Sequence, residues 1–347
     1  MIILEQVKLL DGHSDLVETI AVSSLTDTIM TGGRDGKVLF WNSSSSIPIF
    51  SWVPYGGLEL YHADMSDDAS VVLACHSQYK EAILYDKITC KSRLVPLLEY
   101  CRPPMLSGDG RSIVSYSNNS IYRIHLSEHK GIEYICKTSS TIHICQYFRH
   151  RDCALVVNQK GHVLIVDLLS NSIRAVLPQV YRKIAFEAIF HDDSLIAIAN
   201  KNENTIDLWK IELCSNRTLV EKKNSFRIPS SMRGSLFSNA RIFFTDVSHA
   251  FVCAIPSPLS FVDFNCGEIQ TFDGIGYCNN YFVDREKKLI YLPYGKTNGN
   301  VAVFSYRWGT ASTTLVQPTS FASSPFMDAI SGKNLDSKQI DDSDEKW

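Results

Sequence analysis

The chain has 347 residues, 45% hydrophobic and 20% charged, a composition that supplies a sizeable core and a solvated surface and excludes global disorder. Its formal net charge of −3 leaves no basic surplus to point to nucleic acid or anionic lipid. No apolar run approaches the roughly 20 residues needed to span a bilayer, so a soluble chain is expected, most of it one structural unit.

The N-terminus, Met1-Ile2-Ile3-Leu4-Glu5-Gln6-Val7-Lys8, has neither a basic leader nor a continuous apolar stretch followed by small residues. It reads as a strand rather than a secretory signal. The next segment, Leu9 to Asn42, carries Gly12-His13 near its start, Thr31-Gly32-Gly33-Arg34-Asp35-Gly36 in its middle and Trp41-Asn42 at its end. Asp-Gly between two apolar runs is a strong hairpin signal because Gly tolerates positive φ, and a buried Trp needs a partner for its indole N–H. With these residues at these places the segment resembles one repeat of the WD-repeat β-propeller family. The resemblance implies a hydrogen-bonded structural network in which His13, Thr31, Asp35 and Trp41 tie adjacent strands together.

Further copies are degenerate, but an apolar run ending near a polar residue recurs along the chain. Its ends fall at residues 41, 85, 124, 166, 209, 262 and 304, giving intervals of 44, 39, 42, 43, 53 and 42 residues. Most match the roughly 40 to 45 residues of a four-stranded blade. The other strands of each copy are short β-branched and aromatic segments between turn formers. In the second copy they are Leu58 to Met65, Val71 to His76, Ala82 to Asp86 and Ser92 to Leu97; in the fifth, Ile184 to Phe190, Leu195 to Asn200, Thr205 to Ile211 and Leu219 to Lys222. No amphipathic helical stretch of useful length interrupts them. The expected fold is therefore all-β, a single seven-bladed β-propeller over residues 1–309.

The long sixth interval predicts about ten surplus residues looping out between Leu213 and Ala240. Closure of the ring is expected from Ile3 to Leu9 pairing with the strand around Val301 to Tyr306, because an unjoined last blade would leave an open sheet edge. From residue 310 the pattern dissolves into Ser, Thr, Ala, Asp and Lys, ending Asp341-Asp342-Ser343-Asp344-Glu345-Lys346-Trp347. Such a stretch reads as a disordered acidic tail.

Motifs for catalysis are missing from the sequence. His191-Asp192-Asp193 falls in a predicted turn, where polar residues are ordinary filling. His150 and His162 straddle a hairpin without metal spacing, and Gly274-Ile275-Gly276 lacks the third glycine and following helix of a dinucleotide site. There is no His-Glu-x-x-His, no Gly-x-Ser-x-Gly and no Walker-type Gly-Lys-Ser. The ten cysteines are scattered without a Cys-x-x-Cys pair, which argues against structural zinc. Several of them sit in apolar strand patterns, as expected of free thiols in a reducing compartment. No catalytic residue, metal or cofactor is expected.

Function is then expected from loops. The resemblance implies partner binding on the rim where loops enter each blade, and the residues expected there include Arg34, Tyr55, Tyr79, Lys80, Tyr181, Arg182, Lys183, Arg233 and Tyr294. Tyr and Arg dominate interface hot spots because they join large contact area to polar tips. The expected function is a non-catalytic intracellular scaffold, cytoplasmic or nuclear, binding protein subunits of a larger complex or a peptide on its rim. Two alternatives stay open: a phosphoinositide-binding propeller, reaching membranes peripherally through Ser231-Met232-Arg233-Gly234, and a non-catalytic partner of an RNA-modifying enzyme. In the lipid-binding family the corresponding motif carries two arginines before the glycine, and only Arg233 and Gly234 match it. The Trp-Asp-x-Arg of ubiquitin-ligase receptors is not met by Trp41-Asn42-Ser43-Ser44 or Trp209-Lys210-Ile211-Glu212.

Overall fold

The computed structural model describes residues 1–23, 25–76, 80–97, 104–127, 131–148, 152–181, 184–186, 195–200, 203, 205–214, 217–227, 241–246, 248–254, 257–272, 281–294 and 299–309. All belong to one compact unit, residues 1–313. The expected tail, the segment containing Arg233, the His191 turn and the Gly274 turn lie outside the described residues.

The chain opens with β1 (Ile2–Asp11) and then builds blade after blade of four antiparallel strands. Blade 1 is β2 (Val17–Val22), β3 (Thr28–Gly33), β4 (Val38–Asn42) and β5 (Phe50–Trp52). Blade 2 is β6 (His62–Met65), β7 (Val71–Cys75), β8 (Glu81–Asp86) and β9 (Lys91–Pro96). Blade 3 is β10 (Met105–Leu106), β11 (Ser112–Ser117), β12 (Ser120–His125) and β13 (Ile132–Lys137). Blade 4 follows with β14 (Ile142–Phe148), β15 (Cys153–Asn158), β16 (Val163–Asp167) and β17 (Ser172–Val176). Blade 5 is β18 (Ile184–Phe186), β19 (Leu195–Asn200), β20 (Thr205–Cys214) and β21 (Arg217–Arg227). Blade 6 is β22 (Arg241–Asp246), β23 (His249–Ala254), β24 (Ser257–Asp263) and β25 (Ile269–Phe272), and blade 7 is β26 (Phe282–Asp284), β27 (Leu289–Tyr294) and β28 (Asn300–Trp308). The result is a seven-bladed β-propeller.

Blade 7 has three strands of its own and takes β1 as its fourth. The pairing runs antiparallel from Ile2 opposite Trp308 to Asp11 opposite Asn300, with one irregularity between Gln6 and Lys8. Blade 6 secures it: the Gln270 side-chain amide accepts from the backbone N–H of Ile2 and donates to its carbonyl, both at 2.8 Å. Innermost strand β2 touches both β6 and β26, so the first and last blades are neighbours.

Strand alternation explains where the core lies. In β4, Val38 and Phe40 join a cluster with blade 2, while Leu39 and Trp41 join one with blade 7. A strand sends alternate side chains to opposite faces, and here both faces are covered. The same sharing continues around the ring, giving one buried cluster between every pair of consecutive blades.

Of the residues expected to loop out between Leu213 and Ala240, 217–227 are strand and 228–240 lie outside the described residues. Much of the sixth interval's surplus is strand: β20 and β21 pair from Thr205 opposite Arg227 to Cys214 opposite Arg217, with one irregularity between Leu208 and Trp209. Ile211 is buried opposite Val220, so the segment extends the sheet instead of leaving it. The hairpin is longer than the outer pairs of blades 1 to 4.

Candidate functional site

Because neighbouring strands are antiparallel, the turn between the second and third strands and the link into the next blade share one end of each blade. This is the entry face. In blade 1 its framework is a chain of four side chains. Trp41 Nε1–H donates to Thr31 Oγ1 at 2.9 Å, Thr31 Oγ1 lies 2.8 Å from His13 Nε2, and His13 Nδ1 lies 2.9 Å from Asp35 Oδ1. A carboxylate only accepts, so Nδ1 carries a proton; with the ring neutral, Nε2 accepts from the Thr31 hydroxyl, and the hydroxyl oxygen accepts from Trp41. Every donor points the same way, and each bond polarises the next. Trp41 and Thr31 are fully buried, and the His13 and Asp35 side chains nearly so. Asp35 also accepts from the backbone N–H of Ser14 and of Lys37.

The network fixes the turn that carries Arg34. That guanidinium is exposed and donates from Nε to Glu18 Oε1 at 2.5 Å, and Glu18 raises its pKa above the usual arginine value. The link from blade 1 to blade 2 packs onto this turn, with Leu60 N–H donating to the Gly33 carbonyl. It presents Leu58 and Tyr61, 46% and 52% exposed, together with Glu59. Lys80 is exposed at the neighbouring edge of blade 2.

Tyr55, expected among these contact residues, is a wedge between blades. It is half-buried, and its hydroxyl lies 3.1 Å and 2.9 Å from the carbonyl oxygens of Ala74 and Glu81 in blade 2. Tyr181 also leaves the rim: it is 1% exposed and belongs to the core between blades 4 and 5. Its hydroxyl accepts from Trp209 Nε1–H at 2.6 Å and donates to Asp207 Oδ2 at 3.0 Å. Burial, and after it the Asp207 charge, pushes the phenol pKa upward. Asp207 is fully buried; Lys222 Nζ sits 3.0 Å from it, and the Thr205 and Ser225 hydroxyls donate to its other oxygen at 3.2 Å and 2.6 Å. A buried carboxylate is tolerable only with such a donor set. Tyr294 ends β27 opposite Asn300. Tyr79, Arg182, Lys183 and Arg233 lie outside the described residues.

Sequence reasoning missed Leu58 and Tyr61, which read as the start of a strand; the Gly56-Gly57 pair before them was the signal of an exposed link. Asp207 and Lys222 carried no motif. Among the described residues no group of three or more His, Cys, Asp or Glu is placed to hold a metal ion.

No protein-family model matches the chain, and no curated protein matches it in sequence. Among solved structures, the crystal structure of the Myceliophteria thermophila Cps50 (Swd1) beta-propeller domain is similar at a TM-score of 0.72 and 13% identity, over 87% of this chain and 99% of that one. At that identity the likeness is one of fold.

Proposed function

We propose that this chain is a non-catalytic scaffold of the WD-repeat class, an intracellular subunit that holds protein partners within a larger assembly. The observation that carries this reading is the entry face at blades 1 and 2. A buried four-residue network holds Arg34 in place beside the exposed Leu58 and Tyr61. An aromatic, an arginine and an aliphatic side chain on a rigid support form the residue set from which binding hot spots are drawn. The buried thiol Cys136 is free, which supports a reducing compartment. Arg233, on which the lipid alternative rests, lies outside the described residues, and no observation favours that alternative.

Purification of the native chain with whatever it holds, followed by cross-link mapping, tests the proposal. Cross-links through Lys37 and Lys80 to retained proteins are the expected result. Failure to retain any protein, or contacts that avoid the entry face, would overturn it.

A further inference from the structure

A cleft of about 800 Å³ opens between blades 2 and 3 at the end opposite the entry face. Strand alternation makes its wall. Val95 of β9 is buried in the core shared by the two blades, so Arg93 and Lys91, two and four positions earlier, stand on the same side of the sheet. Both line the cleft, joined by Arg111 from the turn before β11 and His125 at the end of β12. On a chain of net charge −3 this is a local concentration of cations.

These cations are only partly compensated: Arg111 interacts electrostatically with Asp109, two residues before it. Among the described residues Lys91, Arg93 and Arg111 form no ion pair. Asp86, the one lining carboxylate among the described residues, accepts from the backbone N–H groups of Ile88 and Thr89. Asp109, next to Arg111, is likewise turned to the Ser107 hydroxyl and the Arg111 backbone. Arg93 spans the cleft and donates to the Leu126 carbonyl of blade 3. That bond fixes the guanidinium and leaves the rest of its five N–H donors for a guest. His125 is held by Glu133 at 2.9 Å, which itself accepts from Asn171.

We propose that this cleft binds a phosphate monoester carried by an extended segment of a protein partner, as phosphoserine or phosphothreonine. Charge complementarity selects the anion, and a planar guanidinium beside further cations suits phosphate oxygens. The adjoining strand selects the carrier. Among the described residues β9 is the edge of its sheet, with one side of its backbone open for an added strand, and Leu94 beside Arg93 is 60% exposed. The carrier rests on the scaffold reading above; the anion site does not.

Fluorescence anisotropy of the full chain with a degenerate phosphoserine peptide pool, and with the same pool unphosphorylated, tests it. Saturable binding of the phosphorylated pool alone is expected, weakened about tenfold or more in Arg111→Gln and in Arg93→Lys, which keeps the charge but loses the fork. Lys160→Gln, in the exposed turn between β15 and β16, should bind as the parent does. The Arg111 side chain makes no hydrogen bond among the described residues, so that variant keeps its melting temperature. Equal binding of the two pools, or undiminished binding by Arg111→Gln, overturns the site. Binding confined to vesicles containing phosphatidylinositol phosphates, and lost in Arg111→Gln, overturns the peptide carrier and gives the cleft to a lipid headgroup. A chain that retains its entry-face partners yet fails here loses the cleft proposal alone.

Discussion

Trp209 and Tyr181 stand in blade 5 where Trp41 and His13 stand in blade 1. Each tryptophan is on the third strand of its blade, and each partner lies on the link entering that blade. In blade 1 the indole reaches its partner through Thr31; in blade 5 the Tyr181 hydroxyl accepts from the Trp209 N–H directly and donates its own hydrogen bond to Asp207. Two chemical solutions therefore satisfy the same buried indole.

Tyr181→Phe removes the hydroxyl between a buried donor and a buried carboxylate and should cost about 1 to 3 kcal/mol. Trp209→Phe in the same background should then cost less than it does alone, since its N–H has already lost its acceptor. Denaturant melts of the two single variants and the double variant measure this coupling. Strict additivity would mean that the bond contributes nothing to stability.

For Asp35→Ala the expected loss is again about 1 to 3 kcal/mol, because the His13 Nδ1–H and two backbone N–H groups lose their acceptor. Burial alone would raise the Asp35 carboxyl, but the His13, Ser14 and Lys37 donors outweigh it and hold the pKa below the usual value. A carboxylate lowered on folding stabilises above its unfolded pKa of about 3.9, and that share fades as pH falls through the folded value. Melting temperature should thus drop more steeply for the parent than for Asp35→Asn between about pH 5 and pH 3. Parallel curves would contradict the assignment.

Gly161 and Gly56 separate steric contact from backbone strain. Both have positive φ, +82° and +64°. A Cβ on Gly161 would come within 2.0 Å of the Tyr181 carbonyl oxygen, whereas one on Gly56 meets nothing within 4 Å. Gly56→Ala should cost about 1 kcal/mol of left-handed strain, and Gly161→Ala about 3 kcal/mol or more, since backbone must shift to admit the methyl. Comparable melting temperatures for the two variants would show that the blade 4 to 5 link moves freely.

Gln270→Ala should loosen ring closure selectively. Hydrogen exchange is expected to rise at the amides of β1 and of its partner β28 while the sheets of blades 2 to 4 keep their protection, because the lost bonds hold Ile2 alone. Uniform acceleration over all blades would instead indicate global destabilisation.

Blade 1 was legible because its network residues are chemically distinctive and regularly spaced. Closure was legible because β1 alternates and the ring had one edge to cover. Tyr181 was misread because a Tyr-Arg-Lys run resembles an exposed loop. The signal that places it was present: 28 residues separate it from Trp209, the same separation as His13 from Trp41. The Arg93 cleft was hidden for another reason. Its cations come from different blades, and sequence distance says nothing about which turns meet across an inter-blade gap. Both strands of the β20–β21 hairpin were read, as Thr205 to Ile211 and Leu219 to Lys222, but shorter than they are, because an interval length cannot distinguish a longer strand pair from an excursion.

Every hydrophobic cluster belongs to two blades and none to a single blade. A lineage carrying this ring can therefore replace turn and link residues one at a time, but it cannot lose or gain a blade without re-forming two interfaces at once. The count of seven is thus held by shared interfaces rather than by the motif that made one blade recognisable.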